Sequence, residues 1–173
     1  LVVHVLNTAR ALGPEKIHIV VGHEAEQVEQ AVAAPDVQVH HQTRQLGTGH
    51  AVQQALPACD PNNMVLVLFG DVPLMSEETL TRLLGRVQQA PIMLAAEMED
   101  PSGYGRVQRS PTGDFQSVIE HKDANAEQRA LLEVNTGVLA APAALLTALL
   151  ARVDNNNAQE EYYLPDVLAL AVE

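Results

Sequence analysis

Residues 65–68, Val-Leu-Val-Leu, form an unbroken apolar run that ends in Phe69-Gly70-Asp71 and is followed by Val72-Pro73. Side chains of a strand alternate between its two faces. Four apolar residues in a row therefore demand cover on both faces, as inside a parallel sheet packed between helices. The first hundred residues supply that setting. Residues 1–12 show helical spacing and stop at Gly13-Pro14; 16–21 (KIHIVV) read as a strand, 24–34 as a helix and 37–41 (VQVHH) as a strand. Gly47-Thr48-Gly49 opens a helix reaching about Leu56, 64–69 is the strand already quoted, Ser76 caps a helix with Glu77 and Glu78 in its first turn, and 91–98 form another strand.

The pattern then changes. Segments 105–110 and 115–120, joined by Pro111-Thr112-Gly113-Asp114, read as a hairpin. A short polar helix is expected over 124–131, a strand over 133–140, a helix from Pro142 through Ala151, and a last helix over 159–172 with Pro165 near its start or at a break. The expected fold is α/β: one domain with a mostly parallel mixed sheet, helices on both faces and a β-hairpin insertion.

Composition narrows the function. A net charge of −12 opposes a broad grip on nucleic acid or on an anionic membrane. It leaves room for a small anionic ligand, which needs only a few local donors or a metal ion. No apolar stretch approaches the length of a membrane span and no secretory signal is visible. Cys59 is the single cysteine, which excludes an intrachain disulfide and fits a reducing, cytoplasmic setting.

In open α/β sheets ligands bind outside the carboxyl ends of strands, where Asp71 falls. Asp71 reads either as a Mg²⁺ ligand, sharing the ion with substrate phosphates and water, or as a turn or cap residue. The stretch Gln42–His50 places glycines on both sides of Thr48 at a helix entrance. Its amides suit an anion or a base edge, or else Thr48 is a plain N-cap. His50 reads as structural. Ser102-Gly103-Tyr104-Gly105-Arg106 reads as a tight loop or an ordinary turn, and Glu120-His121-Lys122-Asp123 as a solvated charged loop unless it has company. Asn135-Thr136-Gly137 sets polar groups inside an apolar strand, which calls for a ligand contact or a local backbone bond. His40 and His41 point to opposite faces and do not share an ion.

Taken in order, LGTGHA, FGDVPL, DPSGYGRV, VIEHKDA, EVNTGV and NNNAQEEYYLPD closely resemble the uridylyltransferase domain of the bacterial N-acetylglucosamine-1-phosphate uridylyltransferases, over nearly the whole chain. That resemblance implies a Rossmann-like nucleotidyltransferase domain. Such a domain joins UTP and N-acetylglucosamine 1-phosphate with Mg²⁺, giving UDP-N-acetylglucosamine, a cell-wall precursor, and pyrophosphate. By the same resemblance Asp71 holds Mg²⁺ and is the catalytic residue. Gln42, Gly47 and Thr48 recognise uridine, Phe69 and Gly70 line the nucleotide, and Gly105, Glu120 and Asn135 hold the amino sugar. Departures are specific. Phe69 stands where many members carry Tyr, Glu160 where Gly is usual, and Pro165 where Thr or Ser is usual. The family's first βα unit with its glycine-rich LAAGxGTRM loop is not in the chain. Nor are an Asn that supplies a second Mg²⁺ contact and the left-handed β-helix through which members form homotrimers. The expectation is therefore a partial nucleotidyltransferase domain, with an inactive UDP-sugar-binding fragment as the alternative.

Overall fold

The computed structural model describes residues 1–172. The helices are α1 (Val2–Ala11), α2 (Ala25–Val32), α3 (Thr48–Ala55, prolonged by a 3-10 turn over Leu56–Ala58), α4 (Glu77–Leu84), α5 (Ala126–Arg129), α6 (Ala143–Leu150) and α7 (Asp166–Val172). The strands are β1 (Ile17–Val21), β2 (Val37–His41), β3 (Met64–Val67), β4 (Ile92–Glu97), β5 (Arg106–Arg109), β6 (Phe115–Ile119) and β7 (Glu133–Pro142). Local chemistry sets several boundaries as expected. Ser76 Oγ accepts from Thr79 N at 3.1 Å, capping α4. Asn125 and Gln128 close a reciprocal capping box on α5.

The α/β class and the hairpin β5–β6 match expectation, but the pairing is not mostly parallel. Only β1 and β2 pair in parallel, as a separate two-stranded sheet. In the five-stranded sheet β7 pairs antiparallel with β3, β4 and β5, and β5 with β6. The reason is insertion. β3 and β4 run the same way, as a helical crossover requires, yet β7 lies between them in the opposite sense. Each of β1 and β3 keeps one unpaired edge among the described residues, and β3 ends at Val67 rather than residue 69. The final helix is also shorter than expected. Residues 159–165 are irregular, and α7 starts only after Pro165.

β7 is the spine of the core. Leu139 and Ala141 face a cluster with Leu146, Leu149 and Leu150 of α6 and Val167 and Leu168 of α7. Val138 and Ala140, on the other face, meet Leu80 and Leu83 of α4 and Leu66 of β3. Helices thus cover both faces, and the alternation along β7 is what places them there. Leu146 is fully buried, so its truncation to Ala would cost about 2–5 kcal/mol.

Candidate functional site

The loop before α3 is built on close backbone contact. Gly47, with φ +104°, takes the N-cap place that the sequence offered to Thr48. A Cβ at Gly47 would lie 2.7 Å from the Tyr162 carbonyl oxygen and 2.8 Å from its amide nitrogen. Only glycine fits both the angle and the space. Tyr162 N donates to Leu46 O at 2.8 Å, and Gly49 N donates to Tyr162 O at 2.7 Å. The Gly49 amide is thus engaged by protein rather than presented to an anion. Thr48 Oγ1 accepts from Leu164 N at 2.9 Å. The irregular segment 160–164 therefore forms the far wall of this loop. Glu160 within it has φ +55°, the left-handed conformation that favours the glycine usual at this position in the resembled family.

Gln42 follows β2 directly. Its amide nitrogen donates to Gly47 O at 3.0 Å and lies 2.9 Å from His50 Nδ1. The roles in the contact with His50 depend on the imidazole tautomer, and Gln42 Oε1 has no partner among the described residues, which leaves it as an acceptor. His50 sits between the Gln42 and Gln54 amides, the structural role expected of it.

The second wall begins at the end of β3. The Phe69 ring lies on Gly137, whose φ is +83°; a Cβ there would come within 2.6 Å of the ring. Phe69, Asn135, Gly137, Leu164 and Pro165 line one narrow cleft of about 10 Å³, room for a single water. Asn135 Oδ1 accepts from Gly137 N at 2.8 Å, and Thr136 Oγ1 donates to Leu94 O at 2.7 Å, where β4 is bulged. Asn135 Oδ1 and Thr136 Oγ1 are thus met by local backbone bonds, and Asn135 Nδ2 has no partner among the described residues. Asn135 N donates to Gly105 O at 2.9 Å. Gly105 in turn abuts Glu120, whose Oε1 would lie 2.9 Å from a Cβ at position 105.

The charged stretch 120–123 is not simply solvated. Glu120 is half-buried, and burial, then Asp166, Asp123 and Glu161, raise its carboxyl above the ordinary value. Burial and the neighbouring Asp154 and Asp123 push Asp166 up to about 6. Tyr163 donates its hydroxyl to Asp123 at 3.2 Å, and burial pushes that phenol up to about 12.

Gln42, Gly47 and Thr48 therefore join, through Tyr162 and Leu164, to Phe69 and Asn135, and these join to Gly105 and Glu120. Gly70 faces Val2, and Asp71 is exposed on the turn after Phe69. Asp71 makes no hydrogen bond or ion pair among the described residues, so both carboxylate oxygens are available to a hard cation and its water. No group of three or more candidate metal-ligating side chains occurs among the described residues. Residue-type reasoning passed over Tyr162, Leu164 and Asp166. Their signal was the EYYLPD run, which looks helical in the sequence. A separate cavity of about 410 Å³ lies elsewhere, between α4 and β4, with Arg82 and Arg86 among its lining residues.

Comparison with known proteins fits this geometry. The chain is 52% identical to the bifunctional protein GlmU of Pseudomonas entomophila (strain L48) over 98% of its own length and 37% of that protein. It is 52% identical to the bifunctional protein GlmU of Cellvibrio japonicus (strain Ueda107) over 99% of its own length and 38% of that protein. A crystal structure of UDP-glucose pyrophosphorylase complexed with UDP-glucose superposes with a TM-score of 0.75, at 17% identity, over 96% of this chain and 72% of that one. The fold is thus an α/β nucleotidyltransferase fold, and the chain spans well under half the length of the curated relatives it matches. Residues 1–160 match the MobA-like NTP transferase domain, and the chain belongs to that family.

Proposed function

We propose that this chain is the catalytic-side portion of a Mg²⁺-dependent sugar-phosphate uridylyltransferase that joins UTP to N-acetylglucosamine 1-phosphate. The observation that carries the reading is a complementary set of unused valences along one wall. Gln42 offers an acceptor, Asn135 a donor and Glu120 a carboxyl, while Asp71, on the turn after Phe69, is uncommitted among the described residues. A uracil presents an imide N–H, which the acceptor Gln42 Oε1 suits. Sugar hydroxyl and acetamido groups offer both donors and acceptors, which the Asn135–Glu120 pair suits. Gly47 and Gly49 let the backbone close on segment 162–164, which holds the loop that would meet the base, and Phe69 lines the passage to the sugar side. Because the cleft is narrow, a sugar enters with movement of Phe69 or of the Leu164–Pro165 segment.

The reaction forms a bond between a phosphate oxygen of the sugar phosphate and the α-phosphorus of UTP. It breaks the bond from that phosphorus to the β-phosphate oxygen, and pyrophosphate leaves with the bonding pair. No protein nucleophile is required, and alignment of the two phosphates supplies much of the acceleration. Asp71 would hold the Mg²⁺. When bound, that ion neutralises phosphate charge. The product would be UDP-N-acetylglucosamine, made in the cytoplasm for cell-wall precursors, and the resembled family's trimeric assembly would come from outside this chain. No helix among the described residues is long and apolar enough to cross a membrane.

The test is pyrophosphate release from UTP, N-acetylglucosamine 1-phosphate and Mg²⁺. The reading expects release that requires both substrates. A folded protein that binds UDP-N-acetylglucosamine without releasing pyrophosphate would make it a binding fragment, and one that binds neither substrate would overturn the assignment.

A further inference from the structure

Among the described residues Arg106 is the one charged side chain in the buried core, at 1% exposure, and it makes no ion pair there; its charge does reach the Asp100 carboxyl, which Ser102 chiefly and Arg106 least hold below the ordinary value. A lone buried cation is costly unless every donor is met. Its Nε donates to Leu131 O at 3.1 Å, Nη2 to Arg129 O at 3.3 Å, and Nη1 to the Tyr104 carbonyl; Nη2 also lies 3.5 Å from His121 Nδ1. Arg129 ends α5 and Leu131 lies just beyond it, where helix carbonyls lack partners of their own. The guanidinium fork thus binds three separate segments at once, which a lysine ammonium on a flexible stem does not reproduce.

All three segments lead to the same wall. Tyr104 immediately precedes Gly105, and the Gly105 carbonyl receives the Asn135 amide. His121 immediately follows Glu120. None of the groups that Arg106 contacts touches Gln42, Gly47 or Thr48. We infer that Arg106 is a positioning residue for the sugar side of the site: it locks loop 104–105, turn 120–121 and the end of α5 so that Gly105, Glu120 and Asn135 keep one geometry. This rests on the sugar-phosphate reading above for its kinetic consequence, though not for its structural one.

The test is Arg106→Lys in the intact protein. The expected result is a rise of about tenfold in the KM for N-acetylglucosamine 1-phosphate, with the KM for UTP changed less than about twofold, since small displacements at a reacting partner carry large kinetic penalties. Equal rises in both constants, or a lowered melting temperature with neither constant moved, would overturn the inference. Amide exchange separates this failure from failure of the functional reading. Even without turnover, Arg106→Lys should speed exchange at Asn135 N–H and leave Gly49 N–H unchanged; unchanged exchange at Asn135 would refute the positioning role. If Arg106→Lys does not fold, His121→Asn removes only the outermost partner of the guanidinium. It should raise the same sugar-phosphate constant, or the same exchange rate, by about twofold, and no change would count against the inference.

Discussion

The two ends of the site are held by different physics. The loop from Gln42 to His50 depends on backbone contacts at van der Waals limits, on two glycines and on neutral amides. The wall of Gly105, Glu120 and Asn135 depends on ionisable groups withdrawn from water: the buried Arg106 on one side, and Glu120 with Asp166 on the other. On the proposed reading the first end would discriminate by shape and the second by charge and hydrogen-bond polarity. A substitution that adds one methyl should therefore hurt the first most, and a change of pH should register chiefly at the second.

Asp71 belongs to neither end, so its removal should not distinguish them. Asp71→Asn is expected to lower turnover by about 100-fold or more, through lost charge neutralisation at the phosphates. Because Asp71 is exposed and makes no hydrogen bond or ion pair among the described residues, the melting temperature should stay nearly constant. Retained pyrophosphate release would remove Asp71 from the metal site.

Gly47→Ala attacks the shape-dependent end. Its φ of +104° and the contact with Tyr162 backbone at 2.7 Å leave no room for a Cβ. A loss of about 2 kcal/mol is expected, read as a lower denaturation midpoint together with weaker UTP binding. An unperturbed variant would show that segment 160–164 is free to retreat.

Asn135→Ala attacks the other end. It removes the unused Nδ2 donor together with the Oδ1 bond to Gly137 N. The KM for the sugar phosphate should rise about tenfold and the KM for UTP much less. Equal effects on both substrates would erase the distinction between the two ends.

The smallest expected effect is the pH dependence of stability, and it has opposite signs in the two regions. The Asp166 carboxyl is raised to about 6 from 3.8, so its contribution is fully present below about pH 4 and is lost as pH rises through 6. Asp166→Asn should therefore raise the melting temperature at pH 8 relative to the parent, by the equivalent of about 1 kcal/mol after solvent screening. Near the Gln42–His50 end, His18 Nδ1 lies 2.9 Å from His40 Nε2 across β1 and β2. Burial first, and for His18 also its neighbours His40 and Lys16, hold both imidazoles below their ordinary value. Their contribution is present above about pH 6.5 and is lost as pH falls. His18→Gln should flatten only that acid limb. A single pH profile for both variants would contradict the separation.

How much of this was legible before the structure depends on the range of the interactions. Element boundaries followed from Gly13-Pro14, Ser76 and the apolar runs, because capping and burial patterns are local. The side chains of His40 and His41 diverge as the strand period requires, His40 toward His18 and His41 toward Glu29. The order of motifs was also sufficient to anticipate the nucleotidyltransferase fold. Other features depended on distant partners. The YYLP segment carries helix-compatible residues, yet Tyr162 N pairs with Leu46 O and Leu164 N with Thr48 Oγ1, and those bonds hold it irregular. The stretch 102–106 read only as a tight loop or an ordinary turn, because nothing local announces three carbonyls that converge on Arg106 from residues 104, 129 and 131.

The sequence by itself determined the order and type of most strands and helices, and which residue types stand at the ends of β2 and β3, because propensity, capping and periodicity act within a few residues; the end of β3 and the start of α7 it did not fix. Only the tertiary structure decided that β7 runs antiparallel between β3 and β4, that segment 160–164 walls the Gly47 loop, and that the carboxyls of Glu120 and Asp166 share one low-dielectric corner. Strand order, close backbone approach and desolvation are set by residues far apart along the chain, and their energies exist only once those residues meet.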